Sequence, residues 1–461
     1  MRTLKFILLL AVFAACKVGP NYKRSELAAN KKSFVTPSND NNTKDSIALL
    51  KWFELYNDNV LQDLLKTALA NNLDMKLTLA RIEEARENAG VVKANLLPSL
   101  GYQLGVSNSA ASANAVDARL GMPYNNGFAT VNLKWEIDLF GKIRNARTAA
   151  INTLNEQIEL RKNLSVVLVA EVADNYFLLR DLDNRLSIAQ RTLLSRKESL
   201  RINNERFAKG YNAELDLLQA QMQYAAVEAA IPGIQRQIIL VQNGINLLLG
   251  RSGGEIARGK TNAEQNFVPS IPAGLPSQLL ERRPDIKAAE FNLMAQTNRI
   301  GVAMANRFPT LSLTASKGIG SSELSSLINA NSIYGSLAAS LTGPIFAFKQ
   351  NKRRVEIERQ RAIQAQAIYE KTVLQAFLEV DNSLSNHFYL GKEFEARNVQ
   401  VKAGKKALEL SQQRFNFGYT SYLEVLVQEN ALFDAEIQES ITLRQKHSAL
   451  VNLYKALGGG W

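Results

Sequence analysis

The chain has 461 residues, a formal net charge of +12, 46% hydrophobic and only 8% aromatic residues, and a single cysteine. One cysteine excludes an intrachain disulfide framework, and this length with so few aromatic residues suits a large, mostly helical body. The 55 Lys and Arg are interleaved with 43 Asp and Glu, which describes solvated helix faces and leaves no nucleic-acid footprint.

At the N-terminus, Arg2 and Lys5 precede an apolar run that stops at Cys16. Residues 1–15 therefore read as a secretory signal, too short to cross a bilayer as a helix. Small Ala14 and Ala15 ahead of Cys16 form a lipobox-like cleavage site, although Phe13 stands where an aliphatic residue is commoner. A covalent lipid on Cys16 is the one attached group expected, with no other cofactor and no metal. Residues 16–58 follow as an N-terminal extension. Beyond Cys16 nothing approaches the ~18 consecutive apolar residues of a spanning helix, so any membrane crossing must use strands.

The chain is written twice. Gly90-Val91-Val92-Lys93-Ala94-Asn95-Leu96-Leu97-Pro98 is answered by Gly301-Val302-Ala303-Met304-Ala305-Asn306-Arg307-Phe308-Pro309, and Arg206-Phe207-Ala208-Lys209-Gly210-Tyr211 by Arg414-Phe415-Asn416-Phe417-Gly418-Tyr419. The first repeat is expected over 59–250, a linker over 251–283 and the second repeat over 284–461. The offset shrinks by about three residues between the two motifs, which places the difference in a surface loop.

After Pro98, Leu100, Tyr102, Leu104 and Val106 alternate with small or polar neighbours, predicting a strand at about 99–107. A long loop follows, closing on a turn at Asn125-Asn126-Gly127. The return strand, about 128–139, sets Val131, Leu133, Trp135, Ile137 and Leu139 against Thr130, Asn132, Lys134, Glu136 and Asp138. The second half repeats this at about 310–317 and 334–342, with a Ser-rich loop over 318–332. Such alternation fits a strand between lipid and water, and equally a sandwich strand. Four strands cannot close a membrane barrel, so the lipid-facing reading demands several copies sharing one cylinder.

Residues 142–209 contain neither glycine nor proline. Long helices are predicted at 141–209 and 214–249, and again at 348–417 and 421–457, where Gly391 and Gly404 interrupt the pattern. Leu164, Leu168, Val172, Tyr176, Leu179, Leu182 and Leu186 form one apolar stripe; Leu423, Leu426, Phe433, Ile437 and Ile441 form the stripe of the last helix. Gly210 and Gly418 supply the left-handed residue that stops each long helix, and Pro284-Asp285 restarts the second repeat with proline at the first helical position.

Leu275-Pro276-Ser277-Gln278-Leu279-Leu280-Glu281-Arg282-Arg283-Pro284-Asp285-Ile286 resembles a signature of the TolC-like outer membrane factors, in the lipoprotein branch that serves resistance-nodulation-division efflux pumps. Cys16-Lys17-Val18-Gly19-Pro20-Asn21-Tyr22 is similar to the mature start of that branch, with Ser25 near where a proline is usual. Trp135-Glu136-Ile137-Asp138-Leu139-Phe140-Gly141 resembles its strand-to-helix junction, and the two Arg-Phe-x-x-Gly-Tyr turns its helical tips. The resemblance implies a mainly α chain with a membrane β-barrel: a homotrimer of duplicated strand-hairpin and helical-hairpin repeats, twelve strands on a periplasmic helical barrel. It implies an exit duct in the outer membrane, joined by a periplasmic adaptor to an inner-membrane pump, and no enzyme. A type I protein-secretion duct, or a structural coiled-coil lipoprotein without a pore, are the alternatives.

Glu424, repeat-equivalent Asp216 and nearby Glu214 are the gate candidates, three-fold rings of carboxylate in a trimer or else acids favoured by a helix N-terminus. Arg206, Gly210, Tyr211, Arg414, Gly418 and Tyr419 are the candidates for tip turns and adaptor contact. Lys349, Lys352, Arg353 and Arg354 follow the final strand, where they meet anionic head groups or line a solvated helix face. Tyr102, Trp135, Phe140 and Tyr334 are candidates for interfacial girdles. His387 and His447 are the only histidines, and no metal-binding or phosphate-binding motif occurs.

Overall fold

The computed structural model describes residues 17–24, 56–109, 124–265 and 281–459. Cys16 and the signal segment lie outside them. In chain order the described elements are α1 (Asn59–Asn71), α2 (Leu73–Ala94), β1 (Ser99–Ser109), β2 (Tyr124–Ile137), α3 (Lys142–Ala208), α4 (Glu214–Leu248), α5 (Pro284–Ala305), β3 (Thr310–Ser321), β4 (Ile333–Thr342), α6 (Gln350–Asn416) and α7 (Tyr422–Ala456). The duplication reaches element lengths. Helices α2 and α5 both have 22 residues, α3 and α6 both 67, and α4 and α7 both 35. Helices α2 and α5 end 211 positions apart, at 94 and 305, whereas α3 and α6 begin 208 apart, at 142 and 350. The three-residue difference therefore falls in the strand-hairpin segment.

The chain divides into two compact units. The first, from residues 1–25, 81–158 and 288–369, holds the antiparallel sheet, in the order β1-β2-β3-β4. Here the strands outrun their expected ends. Asn125, Asn126 and Gly127, expected as a turn, lie in β2 opposite Asn108, Ser107 and Val106. Strand β3 runs through Gly318 to Ser321 before short 3-10 turns at Leu324–Ser326 and Ala330–Ser332. Turn-forming residues were outweighed because each extra residue gains a ladder partner. At the other end Leu139 is not in the strand, since β2 stops at Ile137 and the chain bends into α3.

A strap crosses this unit at residues 17–24. Val18 N–H donates to the Phe140 carbonyl (3.2 Å), and Asn145 Nδ2 donates to the Val18 carbonyl (2.9 Å). Gly19 lies so close to α5 that a Cβ there would stand 2.7 Å from the Cα of Gly301, so neither position has room for a side chain. Arg24 clamps the buried Glu290 with two hydrogen bonds of 2.7 Å, and Tyr22 Oη donates to the same carboxylate at 2.8 Å.

The second unit, 26–80, 159–287 and 370–461, is helical. Its core is the stripe of α3: Leu168, Val172, Tyr176, Leu179 and Leu182 are buried, with Leu164 and Leu186 half-buried at its ends. Part of the expected linker is fixed in this core. Buried Asp58 caps α1 through the Val60 and Leu61 amides, and its other oxygen accepts from Tyr176 Oη (3.0 Å), Lys260 N–H (3.0 Å) and Gln265 Nε2 (2.8 Å). Arg283 makes a two-pronged pair with Asp285 (3.0 and 2.6 Å), bridges to Glu379 (2.7 Å) and donates to the Ala456 carbonyl (2.9 Å). That set of bonds ties the start of α5 to α6 and to the end of α7, and gives the Arg-Pro-Asp sequence a structural reason. The stripe of α7 differs from expectation: Leu423 is half-exposed, and the buried positions near the start are Tyr422, Val425, Leu426 and Glu429.

Candidate functional site: a two-faced sheet and paired helix turns

The register sorts the sheet residues into rows that share a face. One face carries Ile137, Leu311 and Leu341; then Trp135, Leu313 and Ala339; then Leu100, Leu133, Ala315 and Leu337; then Leu104, Ala129, Ile319 and Ile333. Lys317, between Val131 and Gly335, is the one charge on it among the described residues. The opposite face carries Glu136, Ser312 and Ser340; Ser99, Lys134 and Thr314; Asn132, Ser316 and Ser336; and Gln103, Thr130 and Tyr334. Leu100, Tyr102, Leu104 and Val106 of β1 and Leu337 and Leu341 of β4 are exposed. A largely apolar sheet face, exposed along β1 and β4 and backed by a polar one, is the pattern of a wall between lipid and water. The sheet is open at β1 and at β4, which leaves two rows of backbone groups to be paired.

Of the proposed girdle residues, Tyr102 and Trp135 do lie on the apolar face, and the Trp135 indole N–H donates to the Leu96 carbonyl at 3.0 Å. Tyr334 is a correction: it faces the polar side, with its hydroxyl 2.6 Å from Thr130 Oγ1, because its register partner Gly318 belongs to that row. Phe140 is likewise taken up in packing, stacked on Phe308 at 4.6 Å.

In the helical unit, α3 and α6 end alike. Gly210 and Gly418 have φ near +75°; Tyr211 N–H reaches the Arg206 carbonyl (2.8 Å) and Tyr419 N–H the Arg414 carbonyl (2.9 Å), while each glycine N–H bonds the residue three back. These are Schellman stops, and they hold because a Cβ at φ > 0 is disfavoured. The two turns meet. The Arg206 guanidinium lies 4.3 Å over the Phe415 ring, and Phe415 packs with Tyr422, Val425, Leu426 and Ala220 in one cluster. Outside it Tyr211, Tyr419 and Phe417 are 78%, 76% and 74% exposed.

Glu424 and Asp216 both occupy the third position of a 35-residue helix. They differ in what holds them. Glu424 accepts from Thr420 Oγ1 (2.5 Å) and pairs with Arg414 at 3.2 Å, whereas Glu214 is exposed and Asp216 half-exposed near the buried Tyr422. Glu429 went unnoticed in the sequence. It is buried, bonded by Ser199 Oγ at 3.4 Å, and desolvation raises its pKa against the opposing pull of Arg196. An acid four residues after Val425 sits on the buried stripe, a signal hidden by taking Leu423 as the stripe residue. Farther along α7, Glu436 pairs with Arg191 (2.6 Å) and Lys405 (3.4 Å), joining three helices. No cluster able to hold a metal ion occurs among the described residues.

The outer membrane efflux protein family model matches residues 64–251 and again residues 275–459, once per repeat. The chain belongs to the outer membrane efflux protein family. It is 33% identical to the toluene efflux pump outer membrane protein TtgI of Pseudomonas putida over 420 residues, covering 90% of this chain and 88% of that protein. It is 30% identical to the cation efflux system protein CusC of Escherichia coli, covering all of this chain and 99% of that one. Among solved structures, the open-state MtrE outer membrane channel of Neisseria gonorrhoeae superposes with a TM-score of 0.87 at 30% identity, over 96% of this chain and 98% of MtrE. A crystal structure of CusC gives 0.86 at 28% identity, over 96% and 100%. This family member is an outer-membrane efflux channel, the exit duct of a tripartite pump that also comprises an adaptor and an inner-membrane component. The pore-free and protein-secretion alternatives fall away.

Proposed function

We propose that three copies of the chain build one duct, each contributing four strands to a closed barrel of twelve, with Cys16 lipidated at the membrane and an inner-membrane pump of the resistance-nodulation-division class supplying the cargo. The carrying observation is the sheet: one largely apolar and one polar face, with both edge strands unpaired among the described residues. Unpaired backbone groups in lipid cost several kcal/mol each, so edges must meet edges of other copies. Cys16 immediately precedes a strap bonded to Phe140 and Asn145 beside the end of β2, which supports an anchor next to the barrel. The duct catalyses nothing and moves cargo passively. Relatives named for toluene and for cations have near-equal identity to this chain, which supports a cargo chosen by the pump.

The exposed aromatic residues around Gly210 and Gly418 are the surface proposed to receive the adaptor, and Glu424 with Asp216 the acids proposed to line the closing end. Reconstitution in planar bilayers tests the pore, and Glu424→Gln with Asp216→Asn tests the acids. The expected result is single-channel conductance with weaker cation preference in the double variant; unaltered selectivity would remove both acids from the gate.

A further inference from the structure

The two repeats leave the sheet in different ways. At the first exit, from β2 into α3, the left-handed residue is Gly141 (φ +76°), and Lys17 lies against it. Two cations of the following helix turn are neutralised there, Lys142 by Glu136 at 2.8 Å and Arg144 by Asp138 at 3.2 Å. At the second exit, from β4 into α6, the left-handed residues are Phe348 (φ 44°) and Lys349 (φ 64°), neither of them glycine. Ile345, Phe346 and Phe348 stand fully or largely exposed, the two phenylalanine rings 4.5 Å apart. Lys349 precedes α6 and Lys352, Arg353 and Arg354 lie at its start; the helix has no acid in its first turn, and no ion pair joins any of the four among the described residues.

Each of these features is unfavourable by itself. Left-handed backbone strains a side chain that carries a Cβ, exposed aromatic residues forgo burial, and four cations at a helix N-terminus oppose its dipole. They coincide in ten residues at the point where the chain leaves the apolar face of the sheet, just past Leu341. An apolar wedge followed at once by unneutralised cations matches a phospholipid, acyl chain against the wedge and phosphate against the cations.

We infer that residues 345–354 form a binding site for an anionic phospholipid of the periplasmic leaflet, one site per copy of the channel. The left-handed pair turns Phe346 and Phe348 outward, and the first turn of α6 brings Lys352 and Arg353 beside Lys349 to the head group. The first exit, with its strap and its internal ion pairs, has no such site. The inference rests on the outer-membrane channel assignment, so bilayer conductance of every preparation is measured alongside.

The test uses full-length channel carrying Phe346→Trp, compared with the unsubstituted protein, in phosphatidylcholine vesicles containing either brominated phosphatidylglycerol or brominated phosphatidylcholine. The added tryptophan is expected to be quenched by both, and by the anionic lipid at about fivefold lower mole fraction, the scale of one cation at an anionic surface. Lys349→Gln, Lys352→Gln, Arg353→Gln and Arg354→Gln together should abolish the preference and keep the quenching. Phe348→Trp serves as second reporter should the first variant fail to insert. Equal quenching by the two lipids overturns the inference. So does absence of quenching with conductance intact, which would place the wedge against another copy of the chain; loss of conductance in the unsubstituted protein would instead strike the channel assignment.

Discussion

His447 sits in α7 with Nε2 2.9 Å from the Asn262 carbonyl, so that nitrogen carries the hydrogen, and its ring lies 5.4 Å from Phe177. Burial pushes its pKa down from 6.5 to about 4, the neighbouring Lys446 adding to the effect. The folded form therefore refuses a proton that the unfolded chain accepts. Stability is complete above pH 6.5 and drains away as the pH falls toward 4, on the order of 3 kcal/mol in total. Denaturant unfolding of the detergent-solubilised protein at pH 7.5 and 4.5 should show this loss, and His447→Gln should show much less of it; identical losses would assign the acid sensitivity to other groups. Residue-scale features of this kind were poorly legible in the sequence. Gly210 and Gly418 could be assigned because a left-handed helix stop is a local property, whereas the Arg414–Glu424 pair, the Glu290 clamp and the Asp58 hub join positions that only the fold brings together.

Among the elements, the strands were recognisable from alternation and their ends were not. Turn chemistry at Asn125-Asn126-Gly127 and small polar residues after Lys317 argue locally for loops, yet the ladder carries β2 and β3 through them. Helix ends were sharper, since glycine, proline and the Schellman pattern mark them within one turn. The wrong face chosen for the start of α7 has a different cause: Leu423 and Leu426 obey helical spacing, but so do Tyr422, Val425, Leu426 and Glu429, and burial selects the latter set. The faces of β1 make the sharpest prediction at this scale. Leu104 lies on the apolar face and Gln103 on the polar one. Leu104→Arg should destabilise the membrane-inserted protein by about 2–4 kcal/mol, and Gln103→Arg by much less. Folding titrations into vesicles would measure the difference, and equal penalties would contradict the assignment of faces.

For the molecule as a whole, four strands with two open edges require partners, and closure by three copies is the proposal that follows. Native mass spectrometry of the solubilised channel should give three chains, and unheated gel samples should run as an oligomer that boiling separates. A monomer of full stability would refute the shared cylinder. At this scale the sequence was most informative, because the duplication and the strand count are read over the length of the chain, and no helix among the described residues is long and apolar enough to cross a membrane. Cargo was the least legible, as the polar face mixes Ser, Thr and Asn with Lys134 and Glu136 in no pattern that names a ligand.

The equal lengths of corresponding helices have an implication for how such a chain can vary. Removing one residue from α3 would shorten it by about 1.5 Å and swing everything beyond the cut through about 100°, carrying Val172 and Tyr176 out of the core while α6 kept its phase. The shortest cut that nearly restores the phase is about seven residues, two whole turns, and only the same cut in α6 restores the match between the halves. Length here behaves as a quantity held in common by two distant stretches of the chain, so lineages with longer or shorter ducts should differ from this one in paired steps that keep the helical phase, such as about seven or eleven residues.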